Sequence, residues 1–248
     1  MLLKLICCDV FTRIACDMIS KSPHIVDVEF IPMLAHVEPE NLKRIIQEKI
    51  ENTTSNTNGR KYEAILLGFG LCGNSVIGLT SSIPMIIPRA HDCCTVFMGS
   101  KERFLAEFSN AFSSRWSTTG YFERTRGRNV EYSYADQLEN YKTTKEYMNY
   151  LEQYDEETAE YLWETLHPKI ESKESVYIKI DGFEYSDSYD RYKADMEKLG
   201  VEVRTVTGDV SMVKALLDGD WDENRFLTVP PGKKIAGIYD MNFVVEAV

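Results

Sequence analysis

Four residues far apart in the chain share one chemistry. Cys8, Cys72, His91 and Cys93 offer three thiols and an imidazole. Deprotonated sulfur and neutral imidazole are soft donors, and four of them together suit zinc or, as an alternative, an iron–sulfur cluster. No C-x-x-C pair ties any two of them locally, so they form a site only if the fold brings them to one place. The competing reading makes Cys8 and Cys72 small core residues, because free cysteine is among the most buried side chains. Cys7 and Cys94 alternate with their neighbours and are expected to face the core, and Cys16 is expected to pack within a helix. Six cysteines in a chain with no recognisable export signal argue against a disulfide framework and for a cytoplasmic protein.

The elements that must position these residues follow from periodicity. Leu2–Cys8 is an apolar run short enough for a buried strand, and a helical pattern from Phe11 to Ser20 ends before Pro23. Val26–Ile31 alternates apolar and acidic residues as a second strand does. A helix opening at Pro39 carries Leu42, Ile45, Ile46 and Ile50 on one face. A polar loop is expected over Asn52–Gly59, and further strands at Ala64–Leu67 and Pro84–Pro88. Strands alternating with helices predict an α/β protein with a Rossmann-like parallel sheet. In the doubly wound order 2-1-3-4, Cys8, Cys72, His91 and Cys93 all leave the sheet at its carboxyl lip, where such folds collect ligands.

The rest of the chain repeats this grammar. Ser109–Val130 lacks a clean period and is expected to be an irregular excursion; Tyr134–Leu166 is helical in pattern. Strands are expected at Val176–Ile180, Val201–Val206 and Phe226–Val229, with helices at Asp187–Leu199 and Val210–Leu217 between them. The division that results is a first lobe over 1–108, an excursion over 109–170 and a second lobe over 171–248, with one continuous domain as the other arrangement. Two lobes facing one another would enclose a cleft at the strand carboxyl ends.

Around the four donors, Arg89 and Asn74 are candidates to hold a ligand, and Asp92 to orient the His91 imidazole. Asp209 and Pro230–Gly232 are expected on the facing lip, although Asp209 equally suits capping the helix that follows it. His36 follows the second strand; His24 and His167 each stand beside a proline. Gly68, Gly70 and Gly73 let the backbone turn beside a bulky group, but they match neither a dinucleotide fingerprint nor a P-loop. A net charge of −11 opposes a nucleic-acid partner, and the apolar runs are too short to span a membrane.

Cys8 ahead of a helix carrying Arg13, LLGFGLCGN (Leu66–Asn74), IPRAHDC (Ile87–Cys93) with Gly99-Ser100 behind it, and GDVSMVKALLDGDWDENRFLTVPPG (Gly208–Gly232) together resemble the DUF1638 family over nearly the whole chain. The resemblance implies a metal site at the matching positions, Cys8, Cys72, His91 and Cys93. Proteins of that family are common in anaerobes, methanogens among them, often beside corrinoid-dependent methyl transfer. It therefore implies a zinc-dependent methyltransferase or a component of one, with a small-molecule substrate or a corrinoid protein as partner. A redox or metal-delivery accessory protein holding a cluster, and a binding module with a structural zinc, are the other functions the donor set admits. WSTTGYFER (Trp116–Arg124) departs from the aromatic Gly-Trp segment of the family.

Overall fold

The computed structural model describes residues 1–55, 60–108, 115–125, 142, 145–166, 174–184, 187–238 and 243–248. Strand β1 (Leu2–Cys8) lies at the centre of a sheet and is buried on both faces, which is why its sequence reads as a nearly unbroken apolar run. It pairs in parallel with β2 (Ile25–Ile31) on one side and β3 (Ala64–Gly68) on the other; β4 (Met85–Pro88) follows β3. The expected order 2-1-3-4 is the order observed. Helix α1 (Thr12–Lys21) links β1 to β2, and α2 (Pro39–Ser55) turns Leu42, Ile46 and Ile50 into the core. The expected loop therefore begins late, since α2 runs on to Ser55; residues 56–59 lie outside the described residues.

Beyond β4 come α3 (Cys93–Met98) and α4 (Lys101–Phe108). The expected irregular excursion contains regular structure: β5 (Arg115–Thr118) runs straight into α5 (Thr119–Thr125). Its polar composition hid a strand that is covered on both sides by other elements. The expected long helix is two, α6 (Lys145–Gln153) and α7 (Glu156–Leu166), which share a small core of Tyr147, Ala159 and Trp163. Residues 134–141 and His167 lie outside the described residues.

A second parallel sheet, β5-β6-β7, is completed by β6 (Glu174–Lys179) and β7 (Glu202–Thr207), with α8 (Ser188–Lys198) between them. The chain then leaves this sheet. Helix α9 (Ser211–Asp218) packs on α1, β3 and β4, and β8 (Phe226–Val229) joins the first sheet antiparallel to β4, with Pro88 opposite Phe226. The last part of the region 171–248 thus closes the edge of the first sheet. One core cluster joins the two sheets, and Val176, Ile178 and Val206 belong to it together with the residues of β1 and β3. A ribbon of β9 (Ile235–Gly237) and β10 (Val245–Ala247) ends the chain. Among the described residues no helix is long and apolar enough to cross a membrane.

The packing of β1 on β3 is tight at its carboxyl end. A Cβ on Gly68 would stand 2.4 Å from Cys7 Sγ. Gly68→Ala is expected to cost about 1–3 kcal/mol by overpacking, read from chemical denaturation, and Cys7→Ala in the same chain is expected to restore part of the loss.

Candidate metal centre

The carboxyl lip of the first sheet is built by backbone. After β3 and β4 end, their segments stay paired: Leu71 N–H donates to the Ala90 carbonyl (2.8 Å) and Cys72 N–H to the His91 carbonyl (3.0 Å). Gly70 permits this approach, because a Cβ there would meet the Asp92 amide nitrogen at 2.7 Å and the Ala90 carbonyl at 2.9 Å. Cys72 is then held at φ 45°, in the left-handed region that residues other than glycine seldom enter. Asn74, at φ 70°, turns the loop outward and is exposed.

Cys8 closes β1, Cys72 sits in this loop, and Cys93 opens α3. The three thiols come within electrostatic reach of one another: Cys72 and Cys8 both act on Cys93, and Cys72 acts on Cys8. Burial raises all three above the ordinary thiol range, and is the first cause in each. Cys72 is pushed up to about 12, by burial and then by the Asp92 charge, while the amides of Gly70 and Cys93 oppose the shift. His91, between these groups in the chain, has its Nε2 buried with no hydrogen-bond partner. A buried ring nitrogen without a partner carries a desolvation cost, which a metal bond would remove.

The donor set thus fits a soft metal in kind and burial. Among the described residues, no three His, Cys, Asp or Glu side chains stand at coordinating distances. A metal held by these four residues would require their side chains to move as well as loss of the thiol protons.

The other expected site residues have structural duties. Asp92 caps α3, its Oδ1 accepting from Thr95 N–H (3.0 Å) and the Thr95 hydroxyl (3.2 Å). Arg89 spends its guanidinium on carbonyls: Nε donates to Glu223, and Nη1 to Phe243 and Val245. Asp209, one residue ahead of Val210, the N-cap of α9, pairs with Arg103 (2.8 Å) and accepts from Ser211 N–H. Pro230–Gly232 does not face the site. Because β8 runs antiparallel, its exit lies at the amino ends of the parallel strands, where Gly232 N–H meets the Ser81 carbonyl. A crevice does form between the two sheets, with Val10, Arg13 and Phe97 on one side and Thr119, Ile178 and Phe183 on the other. None of Cys8, Cys72, His91 and Cys93 is among its walls, nor are Arg89, Asn74 and Asp209, so this crevice is not the expected cleft around the four donors.

Two groups at the lip were not singled out from the sequence. Asp9 ties the exits of β1 and β2 together by accepting from Met33 N–H (2.9 Å). Tyr121 of α5 has a half-buried ring whose hydroxyl is pushed above its ordinary range first by burial and then by the nearby Cys93, Cys8, Cys72 and Asp92 groups. The only sequence signal for it is Thr118, whose hydroxyl accepts from Tyr121 N–H (3.1 Å) as a helix-start residue does.

A family model described as "Protein of unknown function (DUF1638)" matches residues 30–217, and the chain belongs to that family. Cys72, His91 and Cys93 lie inside the matched span and Cys8 precedes it. No curated protein and no solved structure matches the chain.

His36 is also at this lip, its ring 6.0 Å from that of Phe69 and its Nε2 buried without a partner. Burial lowers it from 6.5 to about 4. The stability that this neutral histidine contributes is complete above pH 6.5 and is lost as the pH falls towards 4. Denaturation across that window is expected to show a loss on the order of 1–2 kcal/mol that His36→Gln lacks.

Proposed function

We propose that this DUF1638 protein binds one zinc ion through Cys8, Cys72, His91 and Cys93, and that the centre serves small-molecule thiol or methyl-group chemistry. The observation that supports it most is the approach of three thiols from three strand exits, Cys8 and Cys93 deeply buried, with an unpartnered buried imidazole nitrogen two residues before Cys93 in the chain. A zinc ion held there would supply Lewis acidity, turning a bound thiol into a thiolate nucleophile at neutral pH.

The chain's own residues divide the remaining work. Cys8 and Cys93, 2% and 8% exposed, form the closed side and exclude water. Cys72 and His91 are only partly covered and form the side open to a ligand. The left-handed backbone at Cys72 lies on that open side, where stored strain favours a change of ligand position. A corrinoid-bearing partner and the methyltransferase role belong to the same proposal, drawn from the company that the family keeps. So does a cytoplasmic setting, which all six cysteines being free supports. A closed, purely structural zinc is the competing reading, and the deep burial of Cys8 and Cys93 favours it.

Elemental analysis of anaerobically purified protein tests the assignment. The wild-type chain is expected to carry about one zinc, and the single serine or alanine variants at Cys8, Cys72, His91 and Cys93 to lose most of it. If three of the four keep full metal content, the ligand set is wrong. Iron with a broad visible absorption bleached by air would replace zinc with a cluster in the same ligands.

A further inference from the structure

Helix α5 arrives at the thiols from the second sheet, and it is locked there. Gly120 lies so close to the turn after β1 that a Cβ on it would stand 2.0 Å from the Val10 carbonyl oxygen. On either side of that contact, Arg124 Nε donates to the Asp9 carbonyl (3.0 Å) and Arg13 forms a bidentate pair with Glu123. The exposed ion pair adds only about 0–1 kcal/mol. The apolar contacts hold more: Phe122 is buried in the second core with Tyr177 and Tyr192, and Trp116 packs edge-on to Tyr121 with centroids 4.9 Å apart. Trp116 in turn meets Phe97 of α3, the helix that Cys93 opens. Phe122 and Tyr121 thus leave α5 on different faces: Phe122 joins the second core, and Tyr121 packs against the cluster that includes Cys8 and Cys93.

Resting on the reading of Cys8, Cys72, His91 and Cys93 as the site, we infer that Tyr121 is a specificity-determining residue, whose ring roofs the thiol cluster and limits what reaches the sulfurs to small groups. The cover is contributed by the second sheet, so the two sheets together make the site although the donors come from one. The class of ligand this fits is a thiol or one-carbon group rather than a bulky aromatic or polycyclic molecule.

Cysteine-resolved labelling of the full chain tests this, as purified and after chelator treatment. The probes are methyl methanethiosulfonate, which is small, and N-phenylmaleimide, which is not. Exposed Cys16 is the reference for reagent, and core Cys7 and Cys94 are references for the fold. In the wild-type chain after chelation, the small reagent is expected to reach Cys72 while the maleimide is confined to Cys16. Tyr121→Ala is expected to raise maleimide labelling of Cys72 and Cys93 by about tenfold, and Tyr121→Phe to retain the wild-type exclusion. Three outcomes overturn the inference: equal labelling of the wild-type and Ala chains, opening in the Phe variant, or Cys7 and Cys94 opening together with the site. The chelated chain needs no metal to give this result, so absence of zinc in the purified protein would sink the proposed function while leaving the roof to be judged by the labelling alone.

Discussion

The lip depends on two backbone hydrogen bonds made after the strands have ended. Leu71 and Cys72 donate to the carbonyls of Ala90 and His91, extending the β3–β4 pairing past Gly68 and Pro88. That extension puts Cys72 beside Cys93 and fixes where His91 leaves the chain. It is possible only because Gly70 has no side chain to collide with Asp92. Asp92 completes the arrangement from the other side by capping α3, so that Cys93 opens the helix at a defined angle. Cys8 needs no such device: it is the end of the central strand, held by pairing with β2 and by burial on both faces.

Charge plays a smaller part here than position. Arg89 and Asp209, both suited by type to hold a ligand, lock chain segments instead: Arg89 anchors the residues around β10, and Asp209 anchors the exit of β7 to α4. Each guanidinium or carboxylate so engaged avoids the cost of being left half-buried without a partner. The second sheet then contributes a surface more than it contributes donors. Its strand β5 delivers α5 to the turn after β1, and Gly120 permits the close contact with the Val10 carbonyl there.

Much of this could be read from residues alone. The apolar run of β1, the alternation in β2 and the glycines after β3 predict the parallel order, and that order brings Cys8, Cys72 and Cys93 to one lip. What could not be read was direction and distance. Phe226–Val229 is recognisable as a strand, but four apolar residues carry no information on which sheet they join or which way they run, and β8 joins the first sheet in reverse. Pro230–Gly232 was thereby carried to the wrong end. Tyr121 escaped for a similar reason: Ser117 and Thr118 are buried polar residues of a short strand, so the segment reads as irregular until β6 is seen beside it.

Burial raises the thiols above their ordinary range, so a metal bound there would have to outweigh desolvation as well as reorganise the side chains. Soft donors can do this for zinc, and hard oxygen-seeking ions gain too little from sulfur to compete. X-ray absorption at the zinc edge of anaerobically purified protein measures that competition directly. Three sulfur scatterers at roughly 2.3 Å and one nitrogen at roughly 2.0 Å are the predicted shell. A shell of oxygen and nitrogen alone, or protein that binds neither zinc nor iron, would contradict it.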